Sequence, residues 1–324
     1  MRNRLETAVR LSGRAARGNL DLVGLCGLLV VVLVVYQRLD PTLLEPATIT
    51  ILSAQFLPLI LAAVGQTIVM LTGGIDLSLG AVLSLGMAVF VINTADGTMS
   101  VVTAMVIALA VTVLAGAANG ALVAYAGLPP IIVTLAASFL WGGVTLIVLP
   151  QPGGHVPTGL VRAYNLGWYG LALPAIAIAV ALVLWKVVKT TRFGLTLYAV
   201  GGNEHGAFAN GVNTRRVKIV AYGLAGLFTG LAGIGLAIQT GSGDPTIGTP
   251  YTLNSIAAAV LGGISFFGGI GQMRGTLLGA LLLGLLTNLL LFTGISTFYQ
   301  MILQGVVLVA AVAVKTLATR ERVA

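Results

Sequence analysis

Polar side chains that could do chemistry are rare in this sequence, and most of them interrupt long apolar segments. Asp76 follows a Gly-Gly pair and precedes Ser78 by two positions. A carboxylate there could bond to the backbone of a broken helix and line a gate, or it could cap the helix that follows. Four amide side chains also fall within apolar segments: Gln66, Asn119, Asn254 and Asn288.

These amides indicate recognition of a neutral polar solute or bonding between helices. An amide left unpaired in lipid is costly, so each should bond to a neighbouring helix or face a water-filled path. Neutral donors and acceptors of this kind also suit an uncharged polar solute. The amides, Asp76 and Ser78 are therefore our candidates for a translocation path and its gate.

Patterns that would indicate catalysis by the chain itself are absent from the sequence. No Gly-Lys dipeptide occurs, which excludes a Walker-type phosphate-binding loop. His155 and His205 lie far apart, without metal-ligand spacing, and GxSxG, HExxH and CxxC do not occur. Only Asp21 and Asp76 lie near an apolar segment, which argues against a proton or sodium pathway. The sequence predicts a non-enzymatic transport protein without a metal or cofactor of its own, driven by an external energy source.

The composition indicates which elements position these residues. Of the 324 residues, 57% are hydrophobic and only 8% are charged, too apolar for a soluble domain. The net charge is +8, but the basic residues lie at the ends of apolar segments, as topology determinants do. The sequence therefore predicts an all-α, polytopic membrane protein and no nucleic-acid partner.

Gly, Pro and polar breaks divide the apolar segments into about ten predicted spans. They cover residues 20–36, 51–72, 77–94, 100–124, 129–149, 168–188, 217–238, 251–262, 275–292 and 298–314. The eighth span is the weakest, because GGISFFGGIG follows it, and it could be broken or re-entrant. With ten spans, only Arg38 and Arg162 of the 17 Lys and Arg residues lie on the side opposite the termini. The positive-inside rule then predicts that both termini are cytoplasmic.

The predicted organisation is a single transmembrane domain with short cytoplasmic ends. Residues 1–19 form a basic arm, residues 20–316 form the membrane domain and residues 317–324 form a tail. Within the arm, residues 5–17 could form a helix on the membrane surface or remain a flexible basic segment. Membrane lipid is a predicted partner in either case.

A polar segment at residues 203–213 separates the sixth and seventh predicted spans on the cytoplasmic side. Asn203 is a plausible N-cap, Glu204 is favourable in a first helical turn, and Gly211 is a plausible stop. The segment is therefore predicted as a short helix at the cytoplasmic surface, with an ordinary loop as the alternative. On the other side, the turn residues Asp244, Pro245 and Thr246 lie between spans seven and eight.

Three stretches carry a resemblance to a known family. They are TGGIDLSLGA at 72–81, VGGNEHGAFANGVNTRRVK at 200–218, and SGDPTIGTPYTLNSIAAAVLGGISFFGGIG at 242–271, which GTLLGALLLGLLTN closely follows. Together, from about residue 45 onward, they resemble the permease subunit of bacterial ABC importers for monosaccharides such as ribose, xylose and galactofuranose.

The resemblance implies a type II ABC-importer-like permease in the bacterial inner membrane. Two permease subunits, identical or different, would form the pore, and ATPase subunits that bind ATP and Mg would dock on the cytoplasmic face. A periplasmic sugar-binding protein would face Asp244, Pro245 and Thr246. The segment after Gly-Gly-Asn would be the coupling helix, with these residues: Asn203, Glu204, His205, Gly206, Ala207, Phe208, Asn210 and Gly211.

The coupling segment departs from the family's usual pattern, in which an acidic residue is followed by Ala-Ala. This chain has His205-Gly206-Ala207, and it has Phe208 where an Arg is common. The leading hypothesis is the transmembrane subunit of an ATP-driven importer for a pentose or hexose. The alternative is a gradient-driven secondary carrier or channel for a small polar solute.

Overall fold

The computed structural model describes residues 22–94, 99–167 and 172–292, and single positions at 294, 299, 302, 305, 306 and 309. The basic arm and the C-terminal tail lie outside the described residues. The described part is built from helices: α1 (Leu22–Leu39), a 3-10 helix (Pro41–Leu44), α2 (Pro46–Leu71), α3 (Leu79–Thr94), α4 (Val101–Ala126), α5 (Pro130–Val148), α6 (Thr158–Leu166), α7 (Leu173–Thr190), α8 (Arg192–Gly202), α9 (Glu204–Ala209), α10 (Thr214–Thr240), α11 (Thr249–Leu261) and α12 (Met273–Phe292).

Seven helices in the described part are long and apolar enough to cross a membrane: α1, α2, α4, α5, α7, α10 and α12. Each coincides with a predicted span. Helices α3 and α11, of 16 and 13 residues, occupy the third and eighth predicted spans but are shorter than the ~20 residues of a full crossing. Most of the tenth predicted span lies outside the described residues. The all-helical, multi-pass prediction is confirmed, whereas ten spans and cytoplasmic termini stay predictions.

Proline and glycine set many of the helix ends, as their backbone preferences dictate. Pro46, Pro130 and Pro174 lie in first turns, where the missing N–H is not needed. Gly127 and Gly241 follow the ends of α4 and α10 with φ of 66° and 73°. Because these proline and glycine residues end or begin helices, the predicted boundaries of most spans fall within a few residues of the observed ones.

Helices α2 and α10 form the interior of the bundle. In the most apolar 18-residue stretch of each helix, 61% of the residues of α2 and 72% of those of α10 are buried, against 17% for α1 and for α7. Small residues bring α10 against α4: a Cβ added at Gly226 would overlap the Thr112 carbonyl oxygen, and one at Gly116 would overlap that of Tyr222. Close backbone contact of this kind is the usual basis of helix association in lipid.

The two ends of the bundle differ in charge. At one end, which we call the basic end, the Arg215 guanidinium lies over the Tyr125 ring and the Lys189 ammonium lies over the Tyr198 ring, at 5.3 and 5.9 Å from the ring centroids. The opposite end contains α6 and a backbone pair between residues 153 and 243. The sequence did not predict α6 or α8, because both are short and lie in connections between apolar segments.

Candidate functional site

Buried hydrogen bonds link α4 and α5 to the segment between α2 and α3. Asp76 Oδ1 accepts from the backbone N–H of Ser78 at 2.8 Å and from its hydroxyl at 2.6 Å. Asn119 Nδ2 on α4 donates to Ser78 Oγ at 2.7 Å, and Trp141 Nε1 on α5 donates to Asn119 Oδ1 at 3.0 Å. We call these four residues, with Gln66, the Asp76 network.

Gln66 attaches this network to α2. Its side chain is fully buried, and in the amide orientation that satisfies both partners it donates to the Asp76 carbonyl at 3.1 Å and accepts from the Asp76 N–H at 3.2 Å. The amide thus pairs with backbone groups that no helix satisfies, which burial requires. Asp76 itself bonds two residues ahead, as in an Asx turn, and α3 begins only at Leu79.

Two further residues contact the segment between α2 and α3, and the sequence did not predict them. Their partners lie far away along the chain. Thr134 Oγ1 on α5 accepts from the N–H of Leu77 at 3.0 Å and lies 3.0 Å from the Ile75 carbonyl oxygen. Tyr222 on α10 is fully buried, and its hydroxyl has no hydrogen-bond partner within the described ranges. That hydroxyl lies beside Gly74, 2.6 Å from where a Cβ of that residue would be.

The remaining two path candidates lie apart from the Asp76 network. Asn288 on α12 accepts from the Tyr36 hydroxyl on α1 at 3.1 Å and donates to Gln55 Oε1 on α2. These contacts fit the alternative role, bonding between helices. Asn254 on α11 is half-buried and makes no side-chain hydrogen bond to the residues that the structure describes. A path role for either residue stays a prediction.

Helices α3 and α11 begin next to each other inside the bundle. The Gly80 N–H donates to Thr252 Oγ1 at 3.0 Å, and the Gly248 N–H donates to Ser84 Oγ at 2.9 Å. The chain therefore enters the bundle before α11 starts, while a broken or re-entrant eighth span stays a prediction. In transporters, helices that begin at membrane depth commonly border a substrate path. Asn254 lies two residues beyond Thr252 on α11.

Replacing Asn119 by Leu tests the network. The change removes the acceptor of the Trp141 indole N–H and a donor to Ser78. An unsatisfied buried polar group costs about 1–3 kcal/mol, which corresponds to roughly 2–10 °C in Tm for a protein of this size. We expect that decrease in a thermal unfolding assay of the detergent-solubilised protein. Ser138→Ala is the control, because this half-buried serine donates to the Leu135 carbonyl within its own helix and is not part of the Asp76 network. Equal Tm values for both variants would contradict a structural network.

The predicted cytoplasmic segment contains α9 rather than an irregular loop. Asn203 Oδ1 accepts from the N–H of Gly206 at 2.8 Å, which is the N-cap bond expected from the sequence. Gly211 ends the helix at φ 82°, where a side chain would be strained. Its N–H and that of Val212 bond back to the last turn at 2.9 and 3.1 Å, which is a Schellman motif. The segment is thus a capped, defined element.

One side of α9 is attached to the bundle and the other is free. Ala207 is buried in the core, whereas the Phe208 side chain is 70% exposed. Lys218 on α10 forms an ion pair with Glu204 at 2.6 Å. His205 and Asn210 are exposed. An exposed aromatic ring of this kind is typical of a surface that binds another protein. The coupling role of these residues stays a prediction.

The three family-like stretches meet through their glycine pairs next to α9. The N–H of Gly269 donates to the Leu71 carbonyl, at the end of α2, at 3.1 Å. A Cβ at Gly201 would overlap this carbonyl oxygen and lie 2.5 Å from the Gly269 nitrogen, and one at Gly268 would lie 2.6 Å from the Gly73 nitrogen. We call this contact between Leu71, Gly73, Gly201, Gly268 and Gly269 the glycine junction. It joins α8, α2 and the 262–272 loop by direct backbone contact.

Tyr198 reinforces the glycine junction from α8. Its hydroxyl donates to the Gly271 carbonyl at 3.2 Å. Burial raises the pKa of the Tyr198 hydroxyl, so the group stays protonated and remains a donor at physiological pH. The end of α8, immediately before α9, is therefore held to the 262–272 loop by a side-chain bond as well as by backbone contact.

The loop that contains Asp244, Pro245 and Thr246 forms a compact turn at the end opposite α9. Asp244 Oδ1 accepts from the N–H and the hydroxyl of Thr246, each at 2.8 Å, while Pro245 is buried. A shallow pocket lined partly by His155 and Arg162 opens at the same end. This end offers polar groups for a contact, and the binding-protein role of Asp244, Pro245 and Thr246 stays a prediction.

Within the described residues, no group of three or more His, Cys, Asp or Glu side chains could hold a metal ion. The arrangement consists instead of membrane-spanning helices, a buried neutral network and a capped surface helix. These features suit a transport subunit.

Comparison with known proteins identifies the family. Residues 48–312 match the family described as branched-chain amino acid transport system / permease component. The chain is 40% identical to a ribose import permease protein of Bacillus subtilis, over 88% of this chain and 89% of that protein. It is 41% identical to one of Escherichia coli K12 (78% and 80%), and 31% identical to a D-allose transport system permease protein of that strain (93% of each). No solved structure matches. The chain belongs to this family of transport-system permease components.

Proposed function

We propose that this protein is the transmembrane permease subunit of an ATP-driven ABC importer and forms the translocation path for a monosaccharide, a pentose or hexose. The observation that carries the proposal is the identity of 40% with a ribose import permease over 88% of the chain. The seven membrane-length helices support a multi-pass position in the bacterial inner membrane. A ribose-like substrate also suits the neutral amides better than a charged one does.

The proposed assembly follows from the two ends of the molecule. ATPase subunits, which bind ATP and Mg, dock on α9 at the basic end, and this end faces the cytoplasm with both termini. A periplasmic sugar-binding protein docks at the opposite end, near Asp244, Pro245 and Thr246. A second permease subunit completes the pore. In this arrangement the chain has ten spans of type II importer topology, and α3 and α11 border the path.

The direct test is reconstitution in liposomes with the partner ATPase and binding protein. Uptake of labelled ribose or another monosaccharide should require ATP, the binding protein and an intact permease. A proton ionophore should leave this uptake unchanged. Uptake that persists without ATP but collapses with the proton gradient would instead support the secondary carrier.

The side on which α9 lies can be measured by thiol labelling. In a chain with Cys26→Ser, because Cys26 is exposed, we expect Asn210→Cys to react with an impermeant maleimide in inside-out vesicles only. Both Asn210 and Thr246 are exposed, and fifteen of the 17 basic residues lie on the predicted cytoplasmic side. Thr246→Cys is the matched control and should react in right-side-out vesicles only. The reverse pattern would invert the proposed topology.

A further inference from the structure

The loop at residues 262–272, between α11 and α12, has a defined conformation despite its lack of secondary structure. The Ser265 N–H donates to the Ile270 carbonyl at 3.0 Å, and the Phe267 N–H donates to Ser265 Oγ at 3.2 Å. Ile264 is fully buried and anchors the loop in the bundle. We call residues 262–272 the Phe267 loop.

The Phe267 loop presents large apolar side chains outward. Phe267 is 90% exposed and Ile270 is 57% exposed. Full burial of such a side chain contributes about 1.5–3 kcal/mol, so a fixed loop that holds two of them in solvent is unfavourable unless a partner covers them.

The surroundings of the loop connect it to α9. Gly268 and Gly269 of the loop form the glycine junction with Gly201, three residues before Glu204. The exposed Phe208 ring lies on α9, the capped helix that begins at Glu204. The Phe267 loop is therefore in backbone contact with the end of α8, and α9 with Phe208 follows α8 directly, so a partner that binds one apolar surface is close to the other.

Charge indicates the chemistry of the partner. Arg215, Arg216 and Arg274 are exposed on the elements that flank these surfaces. From residue 205 to residue 243, and again from 245 to 320, the sequence contains no Asp or Glu. A protein surface with an apolar pocket and an acidic rim would complement this end. The irregular backbone of the loop also makes direct exposure to lipid tails unfavourable.

We propose that the Phe267 loop is a second element of the ATPase-docking surface, with Phe267 inserted into the ATPase beside the contact made by α9. The proposal rests on the proposed function, and it adds a contact point at residues 267–270. Through the glycine junction, one ATPase subunit then moves α9 and the Phe267 loop together.

The test is site-specific photo-cross-linking in the reconstituted complex of permease and ATPase. A benzophenone amino acid replaces Phe267 in one variant, Phe208 in a second and Phe139 in a third. Phe139 is the matched control, because it is 75% exposed on the membrane-spanning α5. After irradiation, mass spectrometry identifies the chain joined to each position. We expect the ATPase at positions 267 and 208, and not at 139.

The outcomes separate this inference from the proposed function. Cross-linking to the ATPase from 208 but not from 267 overturns the docking role of the loop and leaves the function intact. A product between 267 and a second permease, or between 267 and lipid, also overturns it. Absence of ATP-dependent uptake by the complex contradicts the proposed function itself.

A binding measurement gives a second, independent readout. Phe267→Ser should weaken the affinity of the ATPase for the permease about tenfold or more, since truncated aromatic anchors at interfaces commonly have effects of this size. Phe139→Ser should leave that affinity unchanged. Unchanged affinity in Phe267→Ser, with the variant present in the membrane at normal amounts, would remove the loop from the interface.

Discussion

Replacing Phe208 by Asp is expected to abolish both monosaccharide uptake and substrate-stimulated ATP hydrolysis by the reconstituted complex. The ring is 70% exposed on α9, and no residue in the described part of the chain covers it. As an anchor in the ATPase it should contribute about 2 kcal/mol or more, which is roughly thirty-fold in affinity. A carboxylate in that pocket adds a desolvation penalty to the lost contact. Uptake and ATP hydrolysis by the same preparation are the measurements.

Two controls separate docking from folding in this experiment. Phe208→Leu retains an apolar side chain and should keep most of the activity. The amount of Phe208→Asp permease in the membrane should equal that of the unmodified protein, because most of the ring is exposed. Normal coupling in Phe208→Asp would exclude the ring from the interface and favour a passive role for α9.

The second large effect is expected from Gly201→Ala at the glycine junction. In a helix, this substitution normally stabilises by roughly 0.5–1 kcal/mol. Here the added Cβ would overlap the Leu71 carbonyl oxygen, so α8 must move away from the end of α2. We expect uptake to fall by at least about tenfold, a loss of ~1.4 kcal/mol in the coupled step. The initial rate of ATP-driven uptake measures the effect.

The neighbouring glycine provides a matched control for that prediction. Gly202 is in the same helix, and a Cβ added there would meet nothing within 4 Å. Gly202→Ala should therefore transport at a near-normal rate. If both alanine variants transported equally well, the backbone contact at Gly201 would not carry motion between α8 and α2.

The helices of this protein were largely predictable from the sequence because their signals are local. Long apolar segments mark the spans, and Pro130, Gly127 and Gly241 mark ends through their own backbone preferences. The cap of α9 was equally local, since Asn203 and Gly211 lie within nine residues of each other. The start of α3 was also predicted to within two residues, at 77 against the observed Leu79. The hydrogen bonds that hold the preceding segment outside a helix were not predictable, because their partners lie on other helices.

The candidate site was only partly predictable because its contacts are distant in sequence. The sequence singled out Gln66, Asp76 and Asn119, but not that Trp141 completes their network. Nor did it predict the glycine junction, where Leu71 contacts residues about 130 and 200 positions later. In the sequence, a Gly-Gly pair indicates a turn. Only the packed structure shows that these glycines leave room for another backbone segment.

The close packing of α10 against α4 has a mechanical consequence. Because α10 contains 27 residues, it is about 40 Å long, which is long enough to connect the basic end of the bundle to the opposite end. Its first residues are attached to α9 through Lys218 and Glu204, and its last turn ends next to Gly241, three residues before Asp244. A tilt of about 5° at the basic end would displace the other end by about 3.5 Å over that length. Under the proposed function, a small rotation imposed by an ATPase on α9 would therefore reach the end near Asp244 through α10 itself, without any loop having to transmit force.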